Sequence, residues 1–71
     1  MGDSDIQLAL KNAGFYNGTI DGLIGPNTTN AIKEFQKANN LTADGIPGEK
    51  TKALLQKYMK PQSNEGTEGS M

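Results

Sequence analysis

Apolar residues recur with a helical period in three stretches of this chain. Ile6, Ala9, Leu10 and Ala13 stand at i, i+3, i+4 and i+7, the spacing by which one face of a helix meets a core. Gln7, Lys11 and Asn12 fall on the other side, and Leu8 at the edge of the stripe. Asp3, Ser4 and Asp5 supply N-cap candidates and Gly14 a left-handed C-cap, which predicts a helix over about residues 4 to 13. A second stripe of Thr28, Ala31, Ile32, Phe35 and Ala38 leaves Asn27, Asn30, Lys33, Glu34 and Lys37 off the apolar face; Asn39-Asn40 ends it. A third helix, roughly Glu49 to Met59, turns Leu54, Leu55 and Tyr58 inward, and Pro61 stops it. Residues 61–71 have no apolar period and read as a disordered tail.

The linking segments hold a repeat. Asp21-Gly22-Leu23-Ile24-Gly25-Pro26-Asn27-Thr28 returns twenty-three residues later as Asp44-Gly45-Ile46-Pro47-Gly48-Glu49-Lys50-Thr51. The shared pattern is Asp-Gly-aliphatic-x-Gly-x-x-Thr, and each copy runs into a helix. Pro26 suits the first helical position, which makes Gly25 the N-cap and Thr28 the third helical residue; Gly48, Glu49 and Thr51 repeat that register. Gly22 and Gly45 are expected at positive φ. Asp21 and Asp44 are expected to accept backbone N–H groups of the turn, and Thr28 and Thr51 to close the helix N-termini.

Before the first copy lies a turn, Phe15-Tyr16-Asn17-Gly18, followed by the short β-branched pair Thr19-Ile20, which can pair briefly as a strand-like segment. Adjacent aromatics cannot share one direction, so Phe15 is assigned to the core and Tyr16 to the surface. The expected core comprises Ile6, Leu10, Ala13, Phe15, Ile20, Leu23, Ala31, Ile32, Phe35, Ala38, Leu41, Ile46, Leu54, Leu55 and Tyr58. Three helices joined by two structured loops can bury this set, giving an all-α, small three-helix bundle over residues 4–60.

Composition narrows the function. Seventy-one residues with no cysteine allow one small domain without a disulfide framework. Seven lysines, no arginine and a net charge of −1 supply no basic stripe, so nucleic acid is not an expected partner. No apolar run reaches the length of a membrane span, and the N-terminus lacks the charge and apolar pattern of a signal peptide. Histidine is absent with cysteine, which removes the usual neutral-pH base, the Ser–His and Cys–His pairs and most zinc sites; no metal or cofactor is expected. Asp21 and Asp44 remain as a conceivable carboxylate pair for glycoside cleavage. Their equivalent places in a repeated turn suit loop capping better than an asymmetric acid and base.

Taken in order, Ile6 to Phe15, the first Asp-Gly loop, Ala31-Ile32-Lys33-Glu34-Phe35-Gln36, and Leu41 to Ile46 with Gly48 and Thr51 resemble the peptidoglycan-binding domain family. That family is the three-helix module attached to bacterial cell-wall hydrolases, amidases and transpeptidases. The resemblance covers about residues 4 to 57. It departs in the second unit, where Pro47 and Glu49 replace a more usual aliphatic residue and proline, and Lys52 stands where many members carry tryptophan. The family extends to the N-terminal segment of matrix metalloprotease proenzymes, whose inhibitory cysteine has no counterpart in this chain.

The resemblance implies a monomeric, non-catalytic module that works outside the cytoplasm. It would bind peptidoglycan, through glycan strand or stem peptide, and hold an attached hydrolase or transpeptidase on the wall. The alternative is a protein-interaction or autoinhibitory domain packing on its parent enzyme. The expected contact face is the exposed part of the first loop and the start of the second helix: Tyr16, Asn17, Asp21, Ile24, Asn27 and Asn30, with Asp44 added from the second loop. Ile24 is included as the more exposed aliphatic neighbour of Leu23.

Overall fold

The computed structural model describes residues 1–59. It contains helices α1 (Asp3–Asn12), α2 (Pro26–Ala38) and α3 (Glu49–Leu55), with a 3-10 turn at Gln56–Tyr58. No strand occurs among the described residues; Thr19-Ile20 is irregular. The expected all-α three-helix bundle is therefore present. The tail, the domain's C-terminal limit and the stop at Pro61 lie outside the described residues.

Helix boundaries follow local chemistry. Gly2 is the N-cap of α1, and its N–H donates to Asp5 Oδ2 at 3.1 Å, so an acidic side chain inside the first turn reaches back to the helix start. Helices α1 and α2 then end alike. Phe15 N–H donates to the Leu10 carbonyl and Gly14 N–H to that of Lys11; Leu41 and Asn40 make the same pair of bonds to Gln36 and Lys37. Each closure turns on a left-handed residue, Gly14 at φ 89° and Asn40 at φ 59°. The first closure returns Phe15 to the edge of the core, while the second leaves Leu41 half-buried beside the second loop. The third helix tightens after Leu55 into the 3-10 turn rather than continuing as α-helix to Met59.

The N-terminal helix α1 packs on α2, α3 and the 3-10 turn, so the core gathers around it. Its centre is Ile6, Ala9, Leu10, Tyr16, Ala31, Ile32, Phe35 and Leu55, with Ala13, Phe15, Leu54 and Tyr58 packed against the edge. The Phe35 ring meets Phe15 edge-on at a centroid distance of 5.6 Å and Tyr58 edge-on at 5.9 Å. Such pairs add roughly 0.5–1.5 kcal/mol each to what burial contributes. Asn12 Nδ2 donates to the Tyr58 carbonyl at 2.7 Å and ties the end of α1 to the last turn.

Several core assignments are overturned. Leu23 and Ile46 are 70% and 66% exposed, and Ile20 and Ala38 are exposed too. Of the aromatic neighbours, Tyr16 is the buried one, at 7% exposure, and Phe15 is half-buried. The reason lies in the hydroxyl. Tyr16 Oη donates to the Thr19 carbonyl at 2.7 Å, so the ring enters the core without leaving a polar group unpaired. A Cβ on Gly18 would stand 2.6 Å from that oxygen, and only glycine leaves room for the ring at this turn.

Phe35→Ala should cost about 3–5 kcal/mol, comparable with the whole stability of so small a domain. Circular dichroism at room temperature is expected to show loss of helix, whereas Phe35→Leu should retain a folded spectrum with a lowered melting temperature.

Candidate functional site

Two glutamines hold the loops. In the first unit the Gln7 carboxamide, fully buried on α1, reaches into the Asp-Gly loop. Its Nε2 donates toward Asp21 Oδ1 at 3.0 Å, the Leu23 carbonyl at 2.9 Å and Thr28 Oγ1 at 3.1 Å, while its Oε1 accepts Gly22 N–H at 2.8 Å. Asp21 Oδ1 also accepts Leu23 N–H at 3.0 Å. In the second unit Gln36 of α2 makes the same set. Nε2 donates toward Asp44 Oδ1 at 3.1 Å, the Ile46 carbonyl at 3.0 Å and Thr51 Oγ1 at 3.2 Å. Oε1 accepts Gly45 N–H at 2.9 Å, and Asp44 Oδ1 accepts Ile46 N–H at 2.9 Å. Each Nε2 carries only two hydrogens, so these three acceptors share them, and Gln7 Nε2 has a fourth, longer contact to Tyr16 Oη at 3.5 Å.

Each clamp explains residues on both sides of it. Gly22 and Gly45 sit at φ 77° so that their N–H groups face the glutamine oxygen. Thr28 and Thr51, buried in the first turns of α2 and α3, accept from glutamine and do not cap their helices; Gly25 and Gly48 are N-caps without a side-chain bond. No buried side-chain nitrogen or oxygen among the described residues lacks a partner. The polarity of Gln7 placed it on the solvent side; it is in the core because every polar atom of its amide finds a partner there. The legible signal was the order Gln, Asp-Gly, Thr, present once in each unit beside a core residue, Ile6 or Phe35.

Both aspartates are held below the ordinary carboxylate range. The largest cause is the backbone N–H of Leu23 or Ile46, and the second is the glutamine amide. A glycosidase acid needs its pKa raised so that it can carry a proton at neutral pH. Both candidates are shifted the other way, and both spend one oxygen on the loop. Their geometry is that of clamp anions. Among the described residues no group of three or more His, Cys, Asp or Glu is placed to hold a metal.

Two hollows flank the clamps. One, of about 400 Å³, is lined by Phe15, Tyr16, Asn17, Gly18 and Asn27. The other, of about 370 Å³, lies between the end of α2, the second loop and the start of α3, with Leu41, Asp44, Ile46, Glu49 and Lys50 among its walls. The structure thus brings Tyr16, Asn17 and Asn27 together, and Tyr16 contributes from a buried position rather than as an exposed face. Asp21 is exposed within its clamp, and Ile24 and Asn30 line neither hollow. Ile24 is half-buried, the reverse of the expected order with Leu23, because the clamp fixes the N–H and carbonyl of Leu23 inward and turns its side chain out. Asp44 belongs to the other hollow, whose walls also include Leu41, expected in the core, Glu49, expected only as a helix start, and Lys50, none of them expected at a contact face.

The model of the family described as "Putative peptidoglycan binding domain" matches residues 4–55. The chain belongs to that family. It is 42% identical over 66 residues to the spore cortex-lytic enzyme of Bacillus cereus, with 89% of this chain and 26% of the relative covered. The N-acetylmuramoyl-L-alanine amidase CwlL of Bacillus licheniformis is 46% identical over 65 residues, covering 83% of this chain and 18% of the amidase. The putative OxPP cycle protein OpcA of a Synechocystis species is 41% identical over 61 residues, covering 86% and 13%. The domain therefore spans about a quarter or less of these curated relatives. No solved structure matches it. No helix among the described residues is long and apolar enough to cross a membrane.

Replacing either clamp glutamine by methionine should remove at least about 3 kcal/mol, because several loop groups lose their partners inside the protein. Urea midpoints of Gln7→Met and Gln36→Met check this. Acid should act through the aspartates. A pKa lower in the folded than in the unfolded state contributes stability above the unfolded value, near pH 4, and that contribution is lost as pH falls through the folded value. The doubly substituted Asp21→Asn, Asp44→Asn domain is expected to be less stable at neutral pH and to show a flatter decline below about pH 4, read from urea midpoints across that range.

Proposed function

We propose that this domain is a non-catalytic peptidoglycan-binding module that holds an attached hydrolase or transpeptidase against the cell wall, outside the cytoplasm. The observation that carries this reading is the company the domain keeps. Segments similar to this chain make up about a quarter or less of relatives named as a spore cortex-lytic enzyme and an amidase, which suits a holding part joined to a separate cutting part. The chain's own residues support a holding role: the conceivable catalytic carboxylates are engaged as clamp anions. Tethering raises the concentration of enzyme at its polymer without new chemistry, and a polymer with many copies of one site suits a small, weak binding surface.

The proposed wall contact is centred on the first hollow. Asn17 and Asn27 are exposed there and offer both amide donors and carbonyl acceptors to sugar hydroxyls or peptide groups. Tyr16 forms its floor with Phe15, and Asp21, Ile24 and Asn30 extend the face along the loop and α2. A second reading has one observation in its favour. OpcA, whose name is not that of a wall enzyme, carries a similar segment, and the exposed Leu23 and Ile46 side chains suit a protein partner. In that reading the domain packs on its parent protein.

The full chain is expected to co-sediment with purified insoluble peptidoglycan. Soluble muropeptides should shift nitrogen–proton NMR signals around Asn17 and Asn27, and the double substitution Asn17→Ala, Asn27→Ala should weaken binding by about two- to fivefold while keeping the fold. A folded domain that ignores both the intact polymer and the fragments would replace the wall reading by the protein-interaction one.

A further inference from the structure

We propose that the hollow beside the second loop is a subsite for the charged peptide part of peptidoglycan, with Asp44 receiving an ammonium group and Lys50 a carboxylate. This inference rests on the wall-binding reading and adds a ligand class and a place to it. Three observations carry it. First, Asp44 is fixed by work done on its other side: Oδ1 accepts from Ile46 N–H and Gln36 Nε2, and Oδ2 has no partner among the described residues. The carboxylate is exposed, anionic and oriented before any ligand arrives, so little ordering remains to oppose binding.

Second, the walls are mixed in a way that fits peptide. Lys50 and Glu49 bring both signs of charge, and the ion pair found among the described residues, Lys37 with Glu34, involves neither. Leu41 and Ile46 supply aliphatic surface, with Ile46 held outward at 66% exposure because its N–H and carbonyl are tied to Asp44 and Gln36. A methyl-bearing residue such as alanine matches that surface. Third, no aromatic ring lines this hollow. A sugar ring commonly stacks on an aromatic face, and the rings that line a hollow here, Phe15 and Tyr16, are both in the first unit. Peptidoglycan stem peptides end in carboxylates and carry a free amine where their diamino acid is not cross-linked. The volume of about 370 Å³ admits one or two such residues.

The test is a nitrogen–proton NMR titration of the labelled full chain with the free tetrapeptide alanyl-γ-glutamyl-lysyl-D-alanine, and separately with an N-acetylglucosamine oligomer. The tetrapeptide should shift amides at Thr42, Ile46 and Lys50, and the sugar oligomer should leave them in place. Lys50→Gln and Asp44→Asn should each weaken tetrapeptide binding about two- to fivefold, the scale of an exposed ion pair. Asparagine keeps the Oδ1 acceptor of the clamp, and Lys50 takes no part in it, so both variants should fold. Acetylating the peptide's amines should erase the effect of Asp44→Asn, and amidating its carboxylates that of Lys50→Gln. If the chain sediments with intact wall but the tetrapeptide shifts only residues around Asn17, or both variants bind it normally, the subsite is wrong and the wall reading stands. Failure to bind wall and tetrapeptide alike overturns both.

Discussion

The fold depends on a buried amide placed between a helix and the loop that follows it. A carboxamide moved out of water costs several kcal/mol unless its hydrogen bonds are replaced. Here both glutamines are buried and every atom that needs a partner has one: a glycine N–H, a carbonyl, an aspartate oxygen and a threonine hydroxyl. The same bonds satisfy the loop's own backbone, which would otherwise face the core with nothing to pair with. One side chain thus fixes a loop, the entry to the next helix and the conformation of a glycine. In a domain with no disulfide and a small apolar core, that linkage substitutes for the mass of core it lacks.

The helices were legible because their apolar period is a property of the backbone, and so were the left-handed turns, because Gly14, Gly22, Asn40 and Gly45 are residues that tolerate them. What was not legible was decided by partner atoms far along the chain. Gln7 reads as a surface residue until Asp21 and Thr28, fourteen and twenty-one positions later, complete its shell. Leu23 and Ile46 read as core on hydropathy alone; clamping their main chains points their side chains outward. Tyr16 enters the core because the Thr19 carbonyl takes its hydroxyl proton, a closure three residues away. The candidate site was legible to a similar degree. Asn17, Asn27 and Tyr16 do share a hollow, while Asp44 sits in a different one.

The two units share a clamp but not a surface, and the difference is set by linker length. Gln7 precedes its aspartate by fourteen positions and Gln36 by only eight. The six extra residues in the first unit include the Tyr16–Gly18 turn, which folds an aromatic floor beside the loop. The second unit, with a direct path from Leu41 to Asp44, leaves an open hollow with aliphatic and charged walls. A duplicated structural device has therefore produced two chemically distinct surfaces on one rigid frame.

On the proposed wall-binding reading, that separation has a physical consequence for a polymer whose sugar strands carry charged peptides. Each surface alone offers too few contacts for tight binding, since exposed polar and ionic contacts contribute little apiece. Contacts on two hollows held by the same framework reinforce one another, because engaging the first raises the local concentration of ligand at the second. The clamps keep the geometry between them fixed at no further conformational cost. On the wall-binding reading, rigidity serves holding as well as folding, and the buried glutamines contribute to both through the loops they fix.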